Sequence, residues 1–448
     1  MKLHSDTYNL YKNAEGEWSE TIPKEWQEKR VKDLFRLVTN AAPADNDYEL
    51  LSLYAGIGVK PRKELEARGN KASSTDGYWI VKKNDIVVNK LLAWMGSVGL
   101  SEYNGVTSPA YDVLRQLKPD IDPRYFSYLF RTETAKKIFR KNSRGIMDMR
   151  LRLYFDKLGA ITVPYPSPAV QTIIADYIDS KVILIDKKVN ALNKKINLYT
   201  KLRTTSIDSI ALSGLEKNTP LKHSGDKAIE NIPSHWKLLR LKEVANIQNS
   251  NVDKKSYDDE IKVKLCNYVD VYKNEFIDSS LDFMQATASE SEIVKFQVLK
   301  GDVFITKDSE TCEDIAVPAL ATESLEAVLC GYHLAQIRCN EKIILGEYLF
   351  RLFQSRRFGN RFVIFAKGIT RVGLGQSAIA DALTPIPPLE EQLEIINQIK
   401  SLTDVTDKII ETLSRQIEKL KELRIAVVND AITGKIKLEN TTITRSIA

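Results

Sequence analysis

The sequence runs to 448 residues, 43% of them hydrophobic and 28% charged, with a formal net charge of +6. That balance excludes disordered, collagen-like and low-complexity chains, and it allows a nucleic-acid partner without establishing one. At ~150 residues per domain the length corresponds to about three units. Apolar runs fall well short of the ~18 residues of a membrane span. The opening MKLHSDTYNLYKNAEGEW has no basic-then-apolar signal segment. The four cysteines (Cys266, Cys312, Cys330, Cys339) make no CxxC pair, and with no signal segment they read as reduced thiols of a cytoplasmic protein. Four scattered histidines offer no His/Cys metal cage. Neither a G-x-x-x-x-G-K-[ST] phosphate loop nor a G-x-S-x-G nucleophile elbow occurs, and Gly56-Ile57-Gly58 is a lone G-x-G. A chain long enough to hold a dominant catalytic motif lacks one, which turns the expectation from enzyme toward recognition module.

In chain order, the residues spell one plan twice. Ile22-Pro23-x-x-Trp26 opens the first copy. Residues 78–81 (YWIV) and 85–88 (DIVV) are short β-rich runs bounded by turn residues and predict buried strands. Residues 124–141 carry helical spacing with a basic outer face. The cluster Pro164, Pro166, Pro168 marks a helix start, because proline suits the first turn of a helix and cannot continue one. Beyond it Ile178, Val182, Ile185, Val189, Leu192, Ile196 and Tyr199 follow a 4-3-4-3 spacing, the seam of a coiled coil, which Gly214 stops. Residues 216–231, polar with Pro and Gly, predict a linker.

The plan then returns with Ile232-Pro233-x-x-Trp236, the strand run 302–305 (DVFI) and helical spacing over 345–361. Pro385, Pro387 and Pro388 precede a second seam through Ile410, Leu413, Ile417 and Leu420, extended less well by Leu402 and Thr406 and stopped by Gly434. Five matched blocks start at Ile22, Lys83, Tyr125, Gly145 and Pro164 and recur in order at offsets of 210, 217, 223, 223 and 221 residues. Loops of different length therefore separate shared blocks. A helix of about 40 residues reaches ~60 Å at 1.5 Å per residue. Such a rod cannot bury its seam alone, so the two helices are expected to pair.

These residues resemble the specificity (S) subunit of type I restriction–modification systems. The resemblance covers nearly the whole chain. It rests on the I-P-x-x-W openings, residues 50–115, the segments 302–310 (DVFITKDSE) and 330–338 (CGYHLAQIR), and a P-x-P-P-x-x-E-Q-like entry to each helix, complete as PIPPLEEQ over 385–392. The first copy reads PYPSPAVQ, with Val170 where the family shows Glu, which removes a first-turn carboxylate favoured at a helix N-terminus. The resemblance implies a mixed α/β (α+β) fold. Two similar target recognition domains would each be followed by a long α-helix, and the helices would pair as an antiparallel coiled coil with pseudo-twofold symmetry. The expected division is 1–165 first recognition domain, 166–215 central spacer helix, 216–231 linker, 232–388 second recognition domain, 389–436 C-terminal spacer helix and 437–448 polar tail.

The resemblance further implies a double-stranded DNA partner with a bipartite asymmetric site, read without catalysis by this chain. Two methyltransferase (M) subunits and two restriction–translocase (R) subunits would assemble around it, and S-adenosylmethionine, ATP and magnesium would belong to them. Two alternatives stand beside this reading. A nuclease or methyltransferase-linked enzyme half needs a carboxylate cluster or a cofactor-binding glycine strand. A coiled-coil scaffold without DNA binding would show no salt-sensitive affinity for duplex.

DNA binding needs cations for phosphates and directional side chains for base edges. In the first domain the candidates are Lys60, Arg62, Lys90, Trp94 and Ser97, the last three just past a predicted strand, where side chains emerge on a loop. Arg144, Arg150 and Arg152 concentrate charge beside Gly145, and an arginine that bridges guanine O6 and N7 supplies roughly 1–3 kcal/mol of discrimination. In the second domain Lys307 and Ser309 sit where the Lys90 segment does, and Lys367, Thr370 and Arg371 flank Gly368 as the arginines flank Gly145. For each, a core position, a solvated face or an internal ion pair is the competing explanation. The copies differ most between their shared blocks, NKLLAWMGSVG against TKDSETCEDIAVP, so the two domains are expected to read different bases.

Overall fold

The computed structural model describes residues 7–54, 58–64, 75–216, 218–368 and 370–439. Gly56 and Ile57 of the G-x-G, Ile369, and most of the expected tail lie outside the described residues. The chain forms two compact units, one built from the chain up to Leu192 together with Arg415 onward, the other from Asn193–Ser414.

The first unit is organised on a four-stranded antiparallel sheet in the order Phe35–Leu37, Tyr111–Gln116, Ile86–Asn89, Val98–Leu100. Ile86 to Asn89 are all buried, as a strand covered on both faces requires. Asp85, at the foot of that strand, accepts the Lys82 N–H (2.7 Å) and binds Arg115 of the neighbouring strand at 2.8 and 2.6 Å. The second unit repeats this frame in a five-stranded sheet ordered Ala245–Asn249, Leu334–Cys339, Val303–Thr306, Pro318–Ala321, Phe276–Ile277. Asp302 replaces Asp85, bound to Arg338 at 2.8 and 2.8 Å and accepting from Gln336 at 2.7 Å.

The helical runs expected over 124–141 and 345–361 are each interrupted. Pro123–Leu129 and Glu133–Asn142 meet at Thr132, and Gly346–Gln354 and Arg356–Gly359 meet at Ser355. Both hydroxyl residues have extended backbone, and their side chains accept the N–H of Ala135 and Phe358, so each starts a new helix. The stretch expected as a linker is also more than that. Leu221–His223 pairs with Asn231–Pro233 as Tyr11–Asn13 pairs with Thr21–Pro23. Its outer strand is exposed throughout, so its composition is that of a loop.

The two long helices are Pro168–Ser213 and Leu389–Ile432, of 46 and 44 residues. Gln171 clamps the first entry, donating to Pro166 O (2.8 Å) and accepting from Asp122 N (3.1 Å). Gln392 does the same at the second, donating to Pro387 O (2.9 Å) and Ile343 O (2.9 Å) and accepting from Leu345 N (2.9 Å). In the first unit Tyr177 faces Asp430, and Asp186 meets Arg424 at 3.5 Å. In the second, Arg203 meets Asp407 at 3.1 Å, and Gly214 lies against Glu391. Within each unit the helix segments thus run antiparallel. Ile178, Val182, Ile185, Leu192 and Ile417 of the expected seams are buried, and Val189, Ile196, Tyr199, Ile410, Leu413 and Leu420 are half-buried. Thr403 and Thr406 are buried where larger apolar residues would extend the second seam.

Each helix ends on a glycine with left-handed backbone, Gly214 at φ +73° and Gly434 at φ +70°. Each glycine packs on an I-P-x-x-W wedge: a Cβ at Gly434 would lie 2.6 Å from Pro23, and one at Gly214 would lie 3.2 Å from the Trp236 ring. Tyr125 donates to Ile432 O (3.3 Å) and Tyr348 to Ala211 O (3.1 Å), holding the last turns.

Two consequences are measurable by urea or thermal unfolding. Gly434→Ala imposes both positive φ and the Pro23 clash, and it is expected to cost about 1–3 kcal/mol. Asp302→Ala removes the carboxylate that Arg338 and Gln336 share and leaves them only Gln297 O, with an expected loss of about 3 kcal/mol, whereas Asp→Ala at exposed Asp148 should change little.

Candidate nucleic-acid interface

In the first unit the main-chain carbonyl of Lys90 accepts the N–H of Leu153 (2.9 Å), and Arg144 and Arg152 exchange two main-chain hydrogen bonds at 2.9 Å. These bonds fasten the segment after the strand to the arginine loop. Gly145, at φ +149°, is the hinge, since a Cβ there would lie 2.5 Å from Arg150 O. The second unit repeats the joint. Lys307 O accepts the N–H of Leu374 (2.7 Å), Asp308-Ser309 pairs with Val372-Gly373, and Lys367 and Gly373 exchange main-chain hydrogen bonds at 3.0 and 2.9 Å. Gly368, at φ +147°, turns this loop, and a side chain there would overlap Arg371 O. Two separate sets of sequence candidates are therefore brought together in each unit.

Their side chains divide by exposure. Arg144, Arg150, Lys367, Thr370 and Arg371 are exposed, with Arg144 reaching Asp156 at 2.8 Å. Arg152 is half-buried and donates to Leu151 O (2.9 Å). Lys90 points into an ion pair with Asp112 at 3.4 Å. Burial pushes the Asp112 carboxyl up, and Lys90 pulls it back. Trp94 is half-buried, its Nε1 donating to Leu91 O (3.0 Å) and its ring under the Arg140 guanidinium at 5.1 Å. Ser97 is buried.

Lys307 is largely enclosed, paired with Asp308 (2.9 Å) and lying 4.7 Å over the Tyr332 ring. Ser309 is buried, with its hydroxyl 3.2 Å from the Tyr268 hydroxyl. Lys60 and Arg62 lie on and just after the Leu51–Tyr54/Gly58–Pro61 hairpin, with Lys60 donating to the Tyr103 hydroxyl at 3.1 Å.

Sequence reasoning passed over several neighbours. Arg140 lies over Trp94. Tyr268 and Tyr272 stack with centroids 5.5 Å apart, and Tyr272 donates to Asp314 at 3.0 Å. Exposed Tyr332 packs edge-on to His333, which contacts Asp308 at 3.3 Å. The aromatic spacing Tyr268/Tyr272, one helical turn, was the available signal.

Among the described residues no group of three or more His, Cys, Asp or Glu is placed to hold a metal, and no helix is long and apolar enough to cross a membrane. Burial pushes the thiols of Cys266 and Cys330 up and that of Cys339 to about 12, far from the thiolate a nucleophile requires.

Residues 23–198 and 233–419 each match the type I restriction modification DNA specificity domain. The MjaVIII specificity subunit of Methanocaldococcus jannaschii is 22% identical over 426 residues, covering 94% of this chain and 95% of that protein. The EcoDI specificity subunit of Escherichia coli is 20% identical over 437 residues, covering 93% and 89%. The crystal structure of the HsdS subunit from Thermoanaerobacter tengcongensis superposes with a TM-score of 0.51 at 13% identity, covering 93% of this chain and 98% of that one. A chain from a study of type I R-M complex assembly and conformational transition superposes with a TM-score of 0.70 at 13% identity, covering 93% and 99%. Both structural likenesses concern the fold. The two family matches begin at Pro23 and Pro233, inside the I-P-x-x-W openings, so the repeat seen in the residues is the family's own domain occurring twice. The chain belongs to the type I restriction–modification DNA specificity family.

Proposed function

We propose that the chain is the DNA-specificity subunit of a type I restriction–modification complex, each unit reading one part of a bipartite, asymmetric site. One observation carries the reading. The same joint, a strand end fastened to a glycine-hinged basic loop, is built twice on one frame, while the side chains mounted on it differ. Exposed Arg144, Arg150, Lys367, Thr370 and Arg371 serve as contacts to phosphates and base edges, with Arg152, Trp94, Lys60 and Arg62 at their margins. Lys90, Ser97, Lys307 and Ser309 act from within, holding the loops. The recognition domains are residues 1–165 and 232–388, with the long helices between and after them as spacers.

The chain makes and breaks no bond. Methyltransferase and restriction subunits, two of each, supply the chemistry with their own S-adenosylmethionine, ATP and magnesium, and the complex works on DNA in the cytoplasm. Two like units can face opposite strands of a duplex, whose half-sites one turn apart lie ~34–36 Å from each other on one side. Helices of 46 and 44 residues, about 66–69 Å long, exceed that span.

Fluorescence anisotropy with labelled duplex, in the presence of the methyltransferase partner, tests the contacts. Affinity should fall steeply and log-linearly with salt. Arg150→Ala or Arg371→Ala should weaken binding about tenfold or lower the salt slope by about one, with an unchanged melting temperature. Lys307→Met should instead lower the melting temperature. Unchanged affinity in both arginine variants would remove the loops from the interface. Inserting a seven-residue segment into both long helices should change the spacer of the methylated motif and keep its bases. An unchanged spacer contradicts the ruler role.

A further inference from the structure

The repeat lets each charged group be checked against its counterpart, and one cluster is neutralised in the second unit and not in the first. At the offset of 221 residues that relates the long helices, Arg203 corresponds to Arg424 and Asp186 to Asp407. Counted back from the caps Thr132 and Ser355, Tyr128 corresponds to Arg351 and Arg131 to Gln354. In the second unit this place holds a carboxylate. Glu275 reaches Arg203 Nη2 at 2.6 Å and Arg351 Nη1 at 3.9 Å, and Asp407 lies 3.1 Å from Arg203 Nε. The main chain delivers Glu275: its carbonyl accepts the N–H of Leu320 (3.0 Å) where the strand Phe276–Ile277 joins the sheet. The Phe276 ring packs on Phe350 with centroids 5.7 Å apart, and the Arg351 guanidinium lies 5.8 Å from it. An acidic residue and the aromatic residue after it thus close the place together.

The first unit's sheet ends at Val98–Leu100, the counterpart of Pro318–Ala321, and among the described residues no fifth strand pairs beyond it. Between the equivalent residues lies a cavity of about 260 Å³, lined by Met95, Gly96, Arg131, Lys136, Arg424 and Ile425. Arg131 donates from Nε to Ser127 O (3.0 Å) and lies 5.0 Å over the Tyr128 ring, and it makes no ion pair among the described residues. Arg424 meets Asp186 at 3.5 Å, and its enclosed Nε has no hydrogen-bond partner. Burial draws the Arg131 guanidinium below its ordinary range, and the neighbouring Arg424 charge adds to that. The carboxylates nearby are engaged: Asp179 accepts from the Tyr128 hydroxyl and from Arg124 (2.9 Å), and Glu133 pairs with Lys136 (2.6 Å). Two arginines therefore face one cavity with no anion between them. Its rim is apolar, with Met95 exposed to 54% and Ile425 to 53%.

We propose that this cavity is a docking seat for an acidic side chain of a partner polypeptide, carried beside an apolar residue. The carboxylate would bridge Arg131 and Arg424 in charge-assisted hydrogen bonds, as Glu275 bridges Arg203 and Arg351, and the apolar neighbour would cover Met95 and Ile425. Met95 and Gly96 stand between Trp94 and Ser97, so the seat borders the first recognition segment and a DNA phosphate is the competing occupant. The polypeptide is favoured on two grounds. The equivalent place in the second unit is closed by the Glu275-Phe276 pair of a strand, and the rim of the open seat offers apolar surface that a phosphate would not cover.

The test uses the full chain and a fluorescein-labelled, end-capped peptide with the sequence of residues 272–279, YKNEFIDS. Saturable binding is expected, weakened about tenfold or more when the peptide's glutamate is replaced by glutamine, as for one partner of an enclosed charge pair. Arg131→Gln, which places in the first unit the residue type found at Gln354, should weaken the native peptide as much. It removes one of two like charges, so it should not lower the melting temperature, and it should leave duplex affinity unchanged. Ile425→Ser should weaken the peptide with both arginines in place. Absence of saturable binding to the native chain, or binding indifferent to the peptide's glutamate and to Arg131→Gln, overturns the proposal. A loss of duplex affinity in Arg131→Gln, with the salt slope lower by about one, would assign the seat to a DNA phosphate and overturn it equally.

Discussion

The structure depends on how two thin helices are closed at their ends. A pair of helices cannot bury a seam as a bundle does, and Val189, Ile196, Ile410 and Leu413 are only half-covered along it. The ends compensate. Gly214 and Gly434, with no side chain and left-handed backbone, let the final turns meet Trp236 and Pro23 directly, while Tyr348 and Tyr125 take up main-chain carbonyls of the last turn. Each globular frame is thereby built against the terminus of a helix that began in the other copy. Repetition follows from this constraint, because a wedge at one helix end needs an equivalent wedge at the other.

On that anchored frame the molecule separates what must stay fixed from what can vary. The pairs Asp85–Arg115 and Asp302–Arg338 lock neighbouring strands in both sheets, and Gln171 and Gln392 lock the helix entries. Between these fixed points the first unit carries the Leu51–Tyr54/Gly58–Pro61 hairpin and the second a three-stranded sheet with a core of its own around Val263, Leu265 and Phe296. Different surfaces joined to like scaffolds through main-chain hydrogen bonds let the two units present different side chains on one architecture.

Much of this was legible in the residues. The repeat, the proline-led helices and the glycine stops are local signals whose physics, ring-fixed φ and missing Cβ, acts wherever the chain runs. The buried strands around Val87 and Phe304 announced themselves as continuous apolar runs. The hairpin at Leu221–His223 did not, because a two-stranded exposed ribbon has the composition of a loop. Nor did the helix breaks at Thr132 and Ser355, where a hydroxyl cap overrides continuous helical spacing. At the interface, charge and glycine placement located the loops, yet sequence alone could not separate Arg371, which is exposed, from Lys307, which is turned into Asp308 and Tyr332. That distinction depends on a neighbour 25 residues away, Tyr332.

The central claim is that two non-identical reading surfaces on one repeated frame specify one divided site. Mapping methylated bases across the genome of a host that expresses the native chain with its methyltransferase partner tests it most directly. The account predicts a single motif of two different specific blocks separated by a fixed run of unspecified bases, with one methylated strand position in each block. A palindromic motif, a single undivided block, or no motif assignable to this chain would contradict it.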